Sequence, residues 1–120
     1  MALLLAASVA PLQAQGTHPL AGVWRASDAS ITVQILACPG ADLLCATLID
    51  ETSVQGQRSR VGSILVRDIR SAGARGWVGR YVEDGENLPA QIRLPSSNAA
   101  TFKICTAAFL CETLRFTRVT

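Results

Sequence analysis

The chain has 120 residues and a formal net charge of +2, with 49% hydrophobic and 17% charged residues. This length and composition indicate one globular domain and exclude a disordered chain. The small charge and the scattered arginines argue against nucleic-acid binding. An aromatic content of 5% argues against a protein that binds polysaccharide or single-stranded nucleic acid, because such proteins usually carry more aromatic side chains for stacking.

The N-terminal segment, residues 1–15, begins with apolar side chains and ends with small and polar ones. This pattern is typical of the hydrophobic region and cleavage site of a secretory signal, with Leu12, Gln13 and Ala14 as the cleavage box. The segment is too short to span a bilayer, and no lysine or arginine follows Met1, so a buried strand or helix is the alternative. We expect a signal peptide over residues 1–15, a single domain over residues 20–120, and no membrane-spanning segment once the signal is removed.

Eight short stretches after the leader alternate apolar and polar side chains, which is the period of a half-buried strand. Polar or glycine-containing turns separate most of them, the longest covering residues 51–61, and no stretch shows a sustained helical period. Short strands joined by sequential hairpins predict an all-β, antiparallel up-and-down barrel, with a β-sandwich as the alternative. In chain order the predicted strands are residues 22–26, 31–35, 46–50, 63–69, 77–82, 90–94, 101–104 and 113–117.

The four cysteines form two closely spaced pairs, Cys38 with Cys45 and Cys105 with Cys111. Zinc fits poorly, because there is no CxxC spacing and His18, the one histidine, is distant in sequence. A redox role fits poorly too, because no cation next to the cysteines would lower a thiol pKa. We expect two local disulfides, each stabilising by about 2–3 kcal/mol through chain entropy. Cross-linking of one hairpin to the other is the alternative, since spacing alone does not fix connectivity.

Several features occur in a fixed order along the chain, and together they resemble a family of small exported bacterial proteins known as a domain of unknown function (number 2147). The resemblance covers residues 20–119 and implies a lipocalin-like, calycin-type barrel with no established catalytic activity. The chain departs from the family pattern at Ala46, where a glycine is usual, and after Tyr81, where a proline and a lysine are missing. The features are Gly22-x-Trp24, Leu44-Cys45, Gly62-x-Ile64-Leu65, Gly76-Trp77-x-Gly79, and Cys105 to Cys111 followed by Thr117-Arg118-Val119.

A lipocalin-type barrel commonly packs a tryptophan from a Gly-x-Trp first strand against an arginine from the last strand. The resemblance therefore implies a contact of Trp24 with Arg115 or Arg118 that closes the barrel. Such a cation–π contact is worth about 0.5–2 kcal/mol. We expect its role to be structural rather than ligand binding.

Trp77, Gly79 and Tyr81 share one face of the fifth predicted strand. One interpretation is a ligand-binding platform in the lumen, where the glycine leaves space for the ligand. The other, which we favour slightly, is a filled core in which the glycine makes room for a facing bulky residue.

The tips of both cysteine loops are apolar, with Leu43 and Leu44 in the first and Phe109 and Leu110 in the second. These side chains could plug a barrel end, which would gain about 1.5–3 kcal/mol for each one buried. They could instead stay exposed and contact a partner or a membrane surface. The plug is the expectation that we favour.

Enzyme signals are poor, because there is no Ser-His-Asp set, no glycine-rich phosphate loop and no metal-ligand cluster. Glu83, Asp84 and Glu86 are interpreted as solvated turn residues. We predict no catalytic residue, metal or cofactor. The expected function is non-enzymatic binding of a small apolar or amphipathic ligand by a periplasmic or secreted bacterial envelope protein. The alternative is a protein-interaction module, an inhibitor or assembly factor, that acts through the cysteine-loop tips. An apolar cavity of about 300 Å³ or more would favour the first.

Overall fold

The computed structural model of the chain describes residues 18–52, 56, 58–83, 85–107 and 109–120. The expected leader, residues 1–15, and the turn residues Asp84 and Ala108 lie outside the described residues. Within this part of the chain, no helix is long and apolar enough to cross a membrane. The strands are β1 (Gly22–Ala26), β2 (Ile31–Ala37), β3 (Leu44–Glu51), β4 (Ile64–Ser71), β5 (Gly76–Glu83), β6 (Glu86–Ser96), β7 (Ala99–Ala107) and β8 (Leu110–Arg118).

Each strand pairs antiparallel with the next, and β8 returns to β1 to close the barrel. The closing ladder is short and aligns Trp24 with Arg118, and Ala26 with Phe116. The predicted up-and-down barrel is confirmed and the sandwich is not formed. Closure pairs both outer strands, so the sheet has no free edge. Several strands extend beyond their predicted bounds, because pairing continues into the tight turns, as in the Glu83–Glu86 pair of β5 and β6.

The connections between strands alternate between the two ends of the barrel. The end that holds the β2–β3, β4–β5 and β6–β7 turns also holds residues 18–21 and the C-terminus, and the fully buried Leu20 covers it. We call it the closed end, and the opposite end the open end. The loop of Cys38 and Cys45 is at the closed end, whereas that of Cys105 and Cys111 is at the open end. The two similar hairpins therefore do not form one paired site.

The inward-facing side chains fill the barrel from the closed end through its middle. Small residues, among them Ala46, Ala90 and Ala100, face the interior beside large ones, which lets side chains from all round the barrel interdigitate. The largest fully buried side chains are those of Leu20, Trp24, Val33, Ile35, Leu48, Ile69 and Ile92.

Both disulfides are local, Cys38 with Cys45 and Cys105 with Cys111, as predicted from the two closely spaced pairs. Cys105 and Cys111 face each other across the β7–β8 ladder. Two disulfides in a chain of this size indicate a compartment outside the reducing cytoplasm.

Candidate ligand site at the open end

The closed end is fastened by Trp24 and Arg118. The guanidinium carbon of Arg118 lies 4.3 Å from the centroid of the Trp24 ring. Its N–H groups donate to the carbonyl oxygens of Ser97 at 2.8 Å, Ala21 at 2.8 Å and Pro19 at 2.5 Å. One side chain thus joins the first strand, the segment before it and the β6–β7 turn. Of the two arginines considered for this contact, Arg118 occupies the position.

Arg115, the other candidate, is exposed, because it points away from the barrel interior. Its neighbour Phe116 is buried and packs against Phe102, with ring centroids 4.9 Å apart. Alternation along β8 places Leu114, Phe116 and Arg118 on the inner face and Arg115 on the outer face.

Trp77 belongs to the core near the closed end and not to an accessible platform. Its side chain is only 7% exposed. The ring of His18, from the segment before β1, lies 6.0 Å away between centroids. The Nδ1 atom of His18 accepts a hydrogen bond from the Leu20 N–H at 3.1 Å, and partial burial lowers the pKa of this histidine. His18 thus works as a neutral ring that holds the segment over the closed end.

Gly79 makes room for neighbouring groups of the protein, so it does not leave space for a ligand. A Cβ atom at position 79 would lie 2.9 Å from the carbonyl oxygen of Arg67 and 3.1 Å from the side chains of Val66 and Ile69. All three belong to β4, whose register with β5 shifts at a bulge between Arg67 and Arg70. Because a Cβ atom at position 79 would meet these groups of β4, glycine is the residue that fits opposite the bulge.

Tyr81 differs from its two partners on β5, because it borders a cavity at the open end. This mouth cavity has a volume of about 330 Å³. Its apolar wall comes from three inward-facing residues of β6, β7 and β8, and its polar border includes Tyr81 and two carboxylates. The principal lining residues are Tyr81, Glu83, Leu88, Ile104, Glu112 and Leu114.

The phenol of Tyr81 lies in a charged setting at this border. Burial raises the pKa of Tyr81, the negative charge of Glu83 raises it further, and the positive charge of Arg60 acts in the opposite direction. The phenol is therefore neutral and can donate a hydrogen bond through its O–H at neutral pH.

Arg60 reaches this region from the β3–β4 connection and is held by Glu51. The backbone N–H of Arg60 donates to Glu51 Oε1 at 2.8 Å, and its guanidinium donates to Oε2 at 3.0 and 3.2 Å. These hydrogen bonds, with the backbone contact first, lower the pKa of Glu51. The charge of Arg60 is thus matched by a carboxylate of its own.

A cavity of about 520 Å³ lies at the closed end, bordered by Pro19, Trp77 and two arginines. Both arginines already donate to main-chain carbonyls, Arg75 to Leu94 at 2.8 Å and Arg118 to the three groups named above. Because these cations fasten the closed end, we place the candidate ligand site at the mouth cavity.

The second cysteine-loop tip is exposed, so the expectation that it plugs the barrel is wrong. Phe109 is 95% exposed and Leu110 is 67% exposed, although Leu110 also borders the mouth cavity. In the first loop, Leu43 and Leu44 are half-buried, and Leu44 packs against the core. The first loop thus contributes Leu44 to the core, whereas the tip of the second loop is exposed.

Several mouth residues lie on predicted inward faces but beyond the predicted strand ends, so the sequence prediction does not include them. Tyr81 was named, but continuing the same alternation by two residues reaches Glu83, which had been interpreted as a solvated turn residue. Likewise Glu112 precedes Leu114 by two residues on the inner face of β8. Extending the period of two to the end of each strand was the signal that would have found both carboxylates.

Comparison with solved structures supports the fold. The barrel is similar to a protein from the human pathogen Helicobacter pylori, HP1028, described as belonging to the lipocalin family. The likeness has a TM-score of 0.64 and 17% sequence identity, and covers 84% of this chain and 83% of that one. At this identity it shows a lipocalin-like fold alone. No family model and no curated protein matches the chain, so its resemblance to domain of unknown function 2147 is not confirmed.

Proposed function

We propose that this chain is an exported, non-enzymatic envelope protein that binds a small amphipathic ligand in the mouth cavity. The observation that carries the proposal is the combination of an apolar wall with a polar border at one barrel end. Leu88, Ile104 and Leu114 supply the wall, and Tyr81 and Glu83 belong to the border. Concave sites that combine apolar walls with placed polar groups are where proteins bind small molecules.

The depth of the site favours an amphipathic ligand over a wholly apolar one. At about 330 Å³ the cavity is at the lower end of the usual range for ligand sites. Below it the barrel is filled by buried residues such as Ile92 and Phe102, so a ligand cannot descend to Trp77. The occupant therefore keeps one end among apolar side chains and the other at the polar border.

Export is supported by two independent features. Residues 1–15 have the pattern of a secretory leader. The two local disulfides require an oxidising compartment, which in a bacterium is the periplasm or the exterior.

Native mass spectrometry of the protein purified from its own host tests this function. We expect a copurified small molecule of defined mass. Leu114→Trp, which fills the mouth cavity, should remove it. Thr113→Trp places the same side chain on the outer face of β8, where Thr113 is exposed, and should retain it. A protein without any adduct, or an adduct equally retained by both variants, would contradict the proposal.

A protein-interaction module is the second candidate, and the exposure of Phe109 favours it. An aromatic side chain that is 95% exposed at the tip of a disulfide-braced hairpin has no role in the core. Aromatic anchors of this kind are enriched at protein interfaces. In the same mass spectra, a bound protein that is lost in Phe109→Asp would support this candidate.

A further inference from the structure

The mouth cavity contains two carboxylates that no cation of the chain neutralises. Glu83 and Glu112 both line it. All lysines and arginines fall within the described residues, and the salt bridges there are Arg60–Glu51 and Arg80–Asp68. Neither bridge includes Glu83 or Glu112. The mouth therefore carries unbalanced negative charge.

Three cations flank the mouth residues: Arg60 acts on Tyr81, and Arg80 and Lys103 are sequence neighbours of Tyr81 and Ile104. Arg60, whose charge acts on Tyr81, is held by Glu51 through three hydrogen bonds. Lys103 precedes Ile104 on β7 and is exposed on the outer face, since Ile104 points inward. The Nε atom of Arg80, on the outer face of β5, is 4.0 Å from Asp68. A cationic ligand would therefore supply the charge that offsets Glu83 and Glu112.

We propose that the ligand is a small amphipathic amine or ammonium compound, an inference that rests on the proposed function and names its ligand class. The apolar part lies among Leu88, Ile104 and Leu114. The cationic head lies at the border, where Glu83 and Glu112 accept charge-assisted hydrogen bonds from its N–H groups or attract a quaternary head. Tyr81, which lines the same cavity, supplies an aromatic ring for a cation–π contact with the head group.

Three probes with the same tail and different head groups isolate the contribution of the head group to binding. They are octylamine, octanol and octanoate, each titrated calorimetrically into the full chain at pH 7. We expect the protonated amine to bind at least about tenfold more tightly than octanol, because only the amine gains charge-assisted contacts. Octanoate should bind most weakly, because it places a third carboxylate at the mouth. The preference for the amine should also shrink as salt is raised, since ions screen exposed charges.

Substitutions at the mouth then identify the residues that cause the preference for the amine. In Glu83→Gln/Glu112→Gln, the preference for octylamine over octanol should fall to less than about threefold, because the amine loses its charge-assisted partners. Glu86→Gln removes a charge from the same hairpin without touching the cavity lining and should retain the preference. Equal binding of octylamine and octanol by the native protein would overturn the inference but leave the proposed function intact. Saturable binding of none of the three probes would overturn both.

Discussion

Arg118 lies over the indole of Trp24, with 4.3 Å between its guanidinium carbon and the ring centroid, and the same two residues face each other across the β1–β8 ladder. The indole N–H donates to the carbonyl oxygen of Leu20 at 3.0 Å, so the segment before β1 is tied to the same pair. This ladder has three aligned residue pairs, a number matched only by the β3–β4 ladder among the described strands, which makes the side-chain contact a main support of closure.

Replacing Arg118 by alanine should lower the free energy of unfolding by about 2–3 kcal/mol. The loss combines the cation–π contact with the hydrogen bonds to Pro19, Ala21 and Ser97. The carbonyl oxygens of these residues would then accept hydrogen bonds from water. Urea unfolding followed by tryptophan fluorescence measures it. Arg115→Ala, three residues earlier on the outer face, is the matched control and should change stability by less than about 0.5 kcal/mol. Equal effects of the two substitutions would contradict the closure role.

Gly79→Ala should destabilise the barrel by about 1–3 kcal/mol, because the added methyl group meets the Arg67 carbonyl oxygen and the Val66 and Ile69 side chains. Gly79→Val should cost more, since the strand separation at the bulge cannot widen without disturbing β4. Thermal unfolding of the two variants measures which one is less stable. A neutral or stabilising Gly79→Ala would show that position 79 faces free space, as a ligand platform would require.

Acidification should weaken the closed end through His18. Burial lowers its pKa in the folded chain, so the unfolded chain binds the proton more readily. The stability that the neutral ring provides is therefore present above about pH 6.5 and is lost as the pH falls through the folded pKa. Urea unfolding at pH 7.5 and 5.5 should show this loss, and His18→Gln should reduce the difference between the two values. An unchanged pH dependence in that variant would refute the assignment.

Phe109→Asp should leave the free energy of unfolding within about 0.5 kcal/mol of the native value, because the side chain is almost fully exposed. Leu44→Asp, at the other cysteine loop, is the contrasting variant and should be strongly destabilising, since Leu44 packs against the core. Thermal unfolding distinguishes them. A severe loss of stability in Phe109→Asp would show that the side chain is buried as a plug, which would contradict the exposed tip.

The strands and the disulfide pairs could be predicted from the sequence because both are local signals. Alternation marks each strand, and turns of a few residues force neighbouring strands to pair antiparallel. Alternation also suffices to choose Arg118 over Arg115, because Arg118 shares the inner face of β8 with Leu114 and Phe116.

The prediction of a plug is wrong because the apolar tip extends the β7–β8 hairpin and does not fold back over the barrel. Ala107 pairs with Leu110, so the ladder of β7 and β8 continues up to the tip. The adjacent disulfide between Cys105 and Cys111 cross-links the two strands just below that turn.

The mouth cavity itself could not be predicted, because its wall is assembled across β5, β6, β7 and β8. Which carboxylates remain unpaired there also depends on tertiary structure. Arg60 meets Glu51 nine residues away through the path of the β3–β4 connection. No periodicity in the sequence encodes that path.

Amide chemical-shift mapping of the ¹⁵N-labelled protein during titration with octylamine tests the binding site most directly. Binding in the mouth cavity predicts saturable shifts concentrated at Tyr81, Leu88, Ile104 and Leu114, with little change at Trp24 and Trp77. Leu114→Trp should abolish these shifts and Thr113→Trp should preserve them. Shifts centred on the closed end, or none that saturate, would contradict a ligand site at the mouth of the barrel.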